Sequence, residues 1–520
     1  MQLTCRQASI LYELLQSDVP LSASLLASRL DLNERIVRFN LPALDLWLHQ
    51  HGIQDKLQSP KGIYLKISTE MREQLRDNLT LPQHPQRGIY LRPEYRQLWI
   101  AFRVLESTQP LHSQHVEQDL ELSENTLVRD FEQVESMLEK HALTLVRKRS
   151  VGTYVEGSEI QIRYALSILI KRILGEANIV NLCLWKKVEL QNPWTEISLL
   201  RRMTLEILNS WSPWEAWSSI NHLTSNLGIS YDEVNISRIA LYLAISVNRI
   251  RNGRSVIYPS TRIEDIRENE IFKAIQKMLK NPGFAPEISL SESEIAYLFN
   301  QLVTYHYAGF GNEYEHLGDV SLDSFLPIAE EIMGLVYQAR GLSFTPSSVT
   351  RDLAAHLHRC YHLLLLGVRV HFELSEDVRA CYPELNLEVD RVTRQISVNP
   401  LLATILKEET GRITLYVAMA IMLDQSPPGG QESKIVVVCP TGGVTSRMLM
   451  LRLRTELPEL GNLELMSIKQ LSSSDLKSVL AIISTTESIL GAYDLPVIVV
   501  SPLLKPADII KLRTWLLNRS

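Results

Sequence analysis

Apolar residues recur at helical intervals in two short stretches near the start of the chain, RQASILYELLQ (6–16) and SASLLASRL (22–30), with a break at Asp18–Pro20 between them. Such spacing predicts two short amphipathic helices. A third is predicted from Leu32-Asn33-Glu34-Arg35-Ile36-Val37-Arg38-Phe39-Asn40, which opens on a capping residue and continues its apolar stripe through Leu41, Leu44 and Leu48. In LQSPKGIYLKIS (57–68) the pattern changes to that of a hairpin around a Pro-Lys-Gly turn. Three helices and a hairpin are the plan of a winged helix-turn-helix domain, expected over residues 1–70.

The plan recurs about 90 residues later with LWIAFRVLES (98–107), SQHVEQDL (113–120), SENTLVRDFEQVESMLEKHALTL (123–145) and a hairpin in VRKRSVGTYVEGS (146–158). This internal duplication predicts a second winged domain over 90–160. Ser123 caps its third helix beside Glu124 and Asn125, and Thr126, Arg129 and Asp130 are expected to face away from the stripe of Leu127, Phe131, Val134 and Leu138. A helix of this kind enters the major groove with its first turns, so Asn33, Arg35, Arg38, Asn125, Thr126 and Arg129 are the candidates for reading base edges. Arg147, Lys148 and Arg149 on the second hairpin are the candidates for holding phosphates. A single such unit reads equally well as a helical hairpin with a solvated charged face, because the pattern is degenerate. Two tandem copies favour DNA.

From about 165 to 425 helical periodicity dominates and no Gly-rich phosphate loop occurs. Two bundles are predicted, the first containing NISRIALYLAISVNRIRNG (235–253) and the Ser-capped LSESEIAYLFNQLVTYH (290–306), the second containing VTRDLAAHLHRCYHLLLLGVRVHF (349–372) with a break at Gly367. QSPPGGQES (425–433) has linker composition, and the linker is placed at 427–433. Beyond it KIVVVCP (434–440), LELMSI (463–468), VLAIIST (479–485) and LPVIVVSPLL (495–504) read as strands and TSRMLMLRLRTEL (445–457) as a helix. That alternation predicts a small parallel α/β domain whose working edge lies at the strand C-termini. The fold class is therefore multidomain and mainly α, with a small parallel sheet at the end.

Composition narrows the function classes. At 520 residues the chain is too long for one core, and domains of about 100–150 residues suggest roughly three to five. With 45% hydrophobic and 22% charged residues, it is an ordinary globular sequence rather than a disordered one. No apolar run approaches the roughly 20 residues of a membrane helix, and the start lacks a signal peptide's layout, so a cytoplasmic protein without membrane insertion is expected. Cys5, Cys183, Cys360, Cys381 and Cys439 have no CxxC or Cys/His ligand spacing, which argues against a disulfide framework or a zinc site. The net charge is -6. Residues 1–160 hold 18 Lys and Arg against 21 Asp and Glu, so a cationic surface for DNA has to be gathered by folding. No cofactor is expected.

One local motif points to chemistry: Cys439-Pro440-Thr441-Gly442-Gly443-Val444-Thr445-Ser446-Arg447, a cysteine at a strand end followed by a glycine turn and a helix start. Backbone amides and the helix dipole there can stabilise a dianion on the sulfur, with Thr441, Gly442, Gly443, Thr445, Ser446 and Arg447 as the cradle. The alternative is a buried strand-end cysteine with a turn needed only for packing. CPTGGVTSRML with the LAIIST and PVIVVSPLL strands resembles the galactitol-type IIB domain of the sugar phosphotransferase system, whose phospho-accepting cysteine falls on Cys439.

End to end the chain resembles multidomain regulators similar to mannitol operon activators, which join DNA-binding helices to two phosphotransferase regulation domains (PRDs) and a IIB-like domain. The stretch TLVRDFEQVESMLEKHALTLVRKRSVGTYVEGSE matches that family closely. The resemblance implies PRDs over 165–312 and 315–426, a IIB-like domain over 434–520, a homodimer, and histidines phosphorylated by the phosphocarrier proteins HPr, IIA or IIB. Tyr242 and Gln301 stand at the two histidine positions of the first PRD, and Met419 at one of the second. Only His356 is retained, as a candidate phospho-acceptor or, alternatively, a core histidine. His358 and His362 lie four residues apart, but no third ligand follows and no metal is assigned. The IIA-like module that ends many relatives is not expected in this sequence.

The function expected is a DNA-binding regulator, an activator of carbohydrate uptake or utilisation genes, with a double-stranded operator as partner and no catalytic turnover. Three alternatives stay open: a IIB phosphotransfer component, an RNA-binding antiterminator, and a regulator that answers a bound ligand instead of phosphate.

Overall fold

The helical spacing at the start of the chain becomes α1 (Cys5–Gln16), α2 (Ala23–Leu30) and α3 (Glu34–Gln50). Ile10, Leu11, Leu14, Leu26, Val37, Leu41, Leu44 and Leu48 close into one apolar core, as burial of one stripe per helix requires. α3 begins where it does because the Asn33 side chain accepts from the Ile36 amide at 2.8 Å. A short hairpin follows, β1 (Gln58–Ser59) against β2 (Gly62–Ile63). Leu21 bridges the far side of β2, donating to the Ile63 carbonyl at 2.9 Å and accepting from its amide at 2.8 Å. Gly62 has φ +131°, and a Cβ there would lie 2.8 Å from the Leu21 carbonyl oxygen, so the close approach admits only glycine. α4 (Thr69–Asn78) completes this module.

The structure is a computed structural model that describes residues 3, 5–17, 19–30, 32–53, 57–59, 62–78, 91–120, 122–186, 188, 192, 195–229, 231, 233–279, 290–306, 322–368, 372, 374–425, 434–439, 443–466, 471, 476, 479–485 and 495–517. The Pro-Lys turn at 60–61 and the expected linker at 427–433 lie outside them.

A second module repeats the first: α5 (Pro93–Glu106), α6 (Ser113–Leu120), α7 (Glu124–Glu139), β3 (Thr144–Lys148) and β4 (Gly152–Glu156). Leu21 and Leu111, Asn33 and Ser123, and Gly62 and Gly152 hold matching places, each pair 90 residues apart. Leu111 again bridges the hairpin, both ways at 2.8 Å to Thr153, and Gly152 has φ +114° with its missing Cβ 2.8 Å from the Leu111 carbonyl oxygen. Two boundaries differ from the sequence reading. α5 starts at Pro93 rather than 98, since proline is suited to a first helical turn. α7 ends at Glu139 rather than 145: Ala142 turns through φ +55° and the alternating burial of Leu143 and Leu145 belongs to a strand.

The chain folds as two compact units. The first comprises 1–137, 145–155 and 189–210, and the second 138–144, 156–188 and 211–520. After β4 the chain leaves the first unit for α8 (Glu159–Leu174) and α9 (Glu176–Trp185), returns to it with α10 (Glu196–Asn209), and leaves again. In the second unit α8 and α9 pack with α11 (Pro213–Asn226), α12 (Glu233–Arg251), α13 (Ser260–Ile266), α14 (Glu270–Leu279) and α15 (Glu292–His306). Arg163 is fully buried among them, bound to Glu294 at 2.7 and 2.8 Å, to Glu159 at 3.0 Å and to the Arg254 carbonyl at 3.0 Å. A buried cation persists only with such complete pairing.

A second helical group follows: α16 (Leu326–Ala339), α17 (Ser348–Leu365), α18 (Ser375–Cys381), α19 (Pro383–Gln395), α20 (Pro400–Glu408) and α21 (Thr410–Gln425). The end of the chain forms β5 (Lys434–Val438), α22 (Gly443–Glu456), β6 (Asn462–Leu465), β7 (Val479–Ser484), β8 (Val497–Val499) and α23 (Pro506–Leu517), the last a helix that the periodicity did not predict. The four strands are parallel in the order β6-β5-β7-β8. Strand order therefore reverses at β5. Met448 and Leu451 of α22 share a core with the helices before it.

Candidate functional site

The starts of α3 and α7 lie open. Asn33, Arg35, Arg38, Asn125 and Arg129 are exposed, and Thr126 is half-buried with its hydroxyl 2.9 Å from that of Ser123. Arg38 meets Glu34 only at 3.8 Å on the surface, a pair worth little. On the second hairpin Arg147, Lys148 and Arg149 are exposed. Arg147 lies 5.8 Å from the Phe131 ring and Lys148 5.6 Å from that of Tyr154, so aromatic faces help to orient both cations. Further along α7 the charged side chains are acidic, with Glu132 and Glu139 exposed and Glu135 half-buried, which confines the helix's positive charge to its first turns.

Asp130 departs from expectation. It does not face outward: it is 2% exposed and accepts from Arg96 Nε at 2.8 Å, Arg96 Nη2 at 3.2 Å and Gln97 Nε2 at 3.1 Å. Arg96 of α5 is itself buried, and only a carboxylate neutralises it there. Phe39, directly after Arg38 on α3, is 83% exposed. It falls off the Val37, Leu41, Leu44 and Leu48 stripe, and that offset is the signal that places it on the open face.

His356 is buried on α17. Its Nε2 lies 2.8 Å from Glu409 Oε2 and 3.4 Å from Cys360 Sγ. Burial lowers the imidazole below its usual range, and Arg412 and Arg359 add to that against the pull of Glu409. Burial alone would raise the Glu409 carboxyl, but the hydrogen bond from His356 and the Arg412 guanidinium hold it below the usual carboxylate range. Nε2 therefore carries the hydrogen and donates to Glu409, which leaves the ring's lone pair on Nδ1. Burial, with Glu409 second, pushes the Cys360 thiol well up and keeps it protonated. The donor atoms of His356, Cys360 and Glu409 lie within 4.8 Å of one another, a set that can ligate a metal. Arg412 Nε, 3.3 Å from the same Glu409 oxygen, competes for that ligand. Cys360 is visible from the sequence as an i+4 neighbour of His356, whereas Glu409 has no local signal. His358 and His362 face each other, Nε2 to Nε2, at 3.0 Å.

Cys439 follows β5 at the reversal of strand order, the position where open parallel sheets bind ligands. It is 8% exposed and packs with Leu449 and Leu453 of α22. Thr445 and Ser446 are buried in the first turns of that helix. Arg447 is ion-paired with Asp352, one turn before His356 on α17. Burial raises the Asp352 carboxyl although Arg447 pulls it down. Gly443 opens α22, while Thr441 and Gly442 lie outside the described residues.

The positions where the resemblance puts histidines are all buried. The Tyr242 hydroxyl accepts from Ser167 Oγ at 2.8 Å, Gln301 is 2% exposed, and Met419 sits in the second helical core. No helix among the described residues is long and apolar enough to cross a membrane.

Residues 217–304, spanning parts of α11 to α15, match the PRD domain family. The chain is 21% identical over 527 residues to the "Probable licABCH operon regulator" of Bacillus subtilis (strain 168), an alignment covering 98% of this chain and 76% of that one. It is 23% identical over 529 residues to the "Transcriptional regulator ManR" of the same organism, covering 98% and 75%.

Proposed function

We propose, from the premise that this chain is a PRD-containing transcriptional regulator of the ManR type, that it holds duplex DNA with the starts of α3 and α7 and is switched by phosphoryl groups on Cys439 and His356. The two N-terminal modules act as winged helix-turn-helix domains, the helical groups as PRDs and the final sheet as a IIB-like domain. The observation that carries this reading is the repeated module, in which both third-helix starts and the hairpin cations Arg147, Lys148 and Arg149 remain exposed. Helix starts read base edges in the major groove and the hairpin holds phosphates. The chain works in the cytoplasm as a homodimer and activates genes for carbohydrate uptake or use.

The signal enters by phosphoryl transfer from a phosphohistidine of HPr or IIA, or from the phosphocysteine of a IIB protein. The donor's P–N bond, or P–S bond for a IIB donor, breaks as an S–P bond forms at Cys439 or a new N–P bond at His356, and the proton given up by the accepting thiol or imidazole passes to the donor's displaced imidazole or thiolate. The new group carries about two negative charges. The start of α22 and its first-turn hydroxyls favour such charge beside Cys439. A dianion there competes with Asp352 for Arg447 and so alters the hold of α22 on α17.

The test is labelling with radioactive phosphoenolpyruvate and purified carriers, scored on the wild type, Cys439→Ser and His356→Ala, with sugar-dependent transcription followed in parallel. Label lost with Cys439→Ser and altered transcription support the reading. Unchanged labelling and transcription in both variants refute the phosphoryl switch, and sustained sugar phosphorylation makes the chain a transport component.

A further inference from the structure

The two modules diverge at one pair of matched positions, and the divergence leads outside both. Arg6 on α1 and Arg96 on α5 are 90 residues apart, as are Asn40 on α3 and Asp130 on α7. In the second module Arg96 is neutralised internally by Asp130 at 2.8 Å. In the first, the matching residue is the uncharged Asn40, which turns back to the Ile36 carbonyl at 2.8 Å. Arg6 reaches instead to Glu196 at the start of α10, at 3.1 Å.

Glu196 is 8% exposed, and its other oxygen accepts the backbone N–H of Arg92, next to the start of α5, at 2.7 Å. One carboxylate thus holds the first helix of one module and the entry to the first helix of the other. Asn192 reinforces the grip on α1, donating to the Ser9 carbonyl at 3.1 Å and to Glu13 Oε1 at 3.0 Å. A buried carboxylate is stable only with its partners in place, so the two attachments are made together. α10 belongs to neither module, and the chain on both sides of it lies in the other compact unit.

We propose that Glu196 is a positioning residue: α10 ties the two modules at a fixed separation, so that each chain accepts only one spacing between the two sequences it reads. The chain enters and leaves α10 from the unit that contains the PRD match at 217–304. The inference rests on the DNA-binding reading above, and its test has one arm that does not.

The first arm places spin labels at Ser28→Cys and Ser136→Cys, both exposed, in the full chain with Cys5 and Cys381 replaced by Ser. The wild-type background gives one narrow label separation, Glu196→Ala at least doubles its width, and Glu196→Gln, which keeps an acceptor for the Arg92 amide, falls between. Arg6→Gln, which cuts only the first-module end, is the second variant should Glu196→Ala misfold. The second arm measures affinity for duplexes in which two selected sequences are moved apart by single base pairs. A rigid pair of readers gives the wild type a preference of about tenfold or more for one spacing, and the variants flatten it to about threefold or less while each separate sequence is still bound. A narrow separation and an undiminished spacing preference in folded Glu196→Ala or Arg6→Gln overturn the tie, as does a broad separation in the wild type. Failure of the wild type to bind any duplex refutes the DNA reading alone, and the label separations then decide the tie.

Discussion

Replacing Asp130 with Ala tests whether the second module's third helix is held in place from beneath. Asp130 is 2% exposed and Arg96 5% exposed, and the pair is bidentate at 2.8 and 3.2 Å, with Gln97 adding a third hydrogen bond at 3.1 Å. Removing the carboxylate leaves a buried guanidinium whose remaining acceptor among the described residues is the Leu91 carbonyl at 2.9 Å. Breaking one side of a buried ion pair costs about 3–5 kcal/mol. Asp130→Asn keeps an acceptor oxygen and should lose about 1.5–3 kcal/mol, the worth of hydrogen bonds to a charged group. Arg96→Met with Asp130→Leu removes both charges and should fall within about 1–2 kcal/mol of the wild type. A chain of several domains has no single unfolding free energy, so the readout is amide hydrogen exchange over 124–139. At about 1.4 kcal/mol per tenfold, Asp130→Ala should speed exchange there by a hundredfold to more than a thousandfold. Less than about tenfold, or a double variant as damaged as the single one, would refute the assignment of Asp130 to the interior.

Gly152→Ala puts a Cβ 2.8 Å from the Leu111 carbonyl oxygen at φ +114° and should cost about 1–3 kcal/mol, read as a lower thermal midpoint of the first transition. If Arg147, Lys148 and Arg149 each hold one phosphate, replacing all three with Ala lowers the slope of log affinity against log salt by about 2.7, and an unchanged slope removes the hairpin from the interface. Carboxyls held low, Glu159 by Arg249 and Arg163 against its burial and Glu176 by Arg238 and Lys171 against its own, stabilise the first helical group above their ordinary value of 4.5. That contribution is lost as pH falls below 4.5 through the depressed folded values, so Glu159→Gln should flatten the acid side of a plot of thermal midpoint against pH. His356, held below its ordinary 6.5, contributes stability that is full above 6.5 and declines as pH falls from there; His356→Gln should remove that part of the slope.

Much of the fold was legible because its signals are local. The apolar stripes through Val37 and Leu44, and through Leu127 and Val134, were enough to locate α3 and α7, and the alternation of strands and helices after residue 434 was enough to locate the sheet. What failed was long-range or sat at an edge of a pattern. Asp130 borders its helix's apolar stripe, and only the arrival of Arg96 from another helix decides which way it turns. Ala142 changes the backbone from helix to strand with no glycine or proline to mark the place. Glu409 meets His356 from 53 residues away and Glu196 meets Arg6 from 190, distances over which no spacing rule operates. The 90-residue register of the modules becomes meaningful only once Gly62 and Gly152 are each seen against a matching leucine carbonyl.

If the exposed starts of α3 and α7 grip DNA, the full chain should select particular duplexes from a random library. The enriched sequence should be bound about a thousandfold or more tighter than random duplex at the same salt, and Arg35→Ala plus Arg129→Ala should erase that preference in a folded protein. No enrichment, equal selectivity in the double variant, or displacement of the duplex by the corresponding RNA transcript would contradict it.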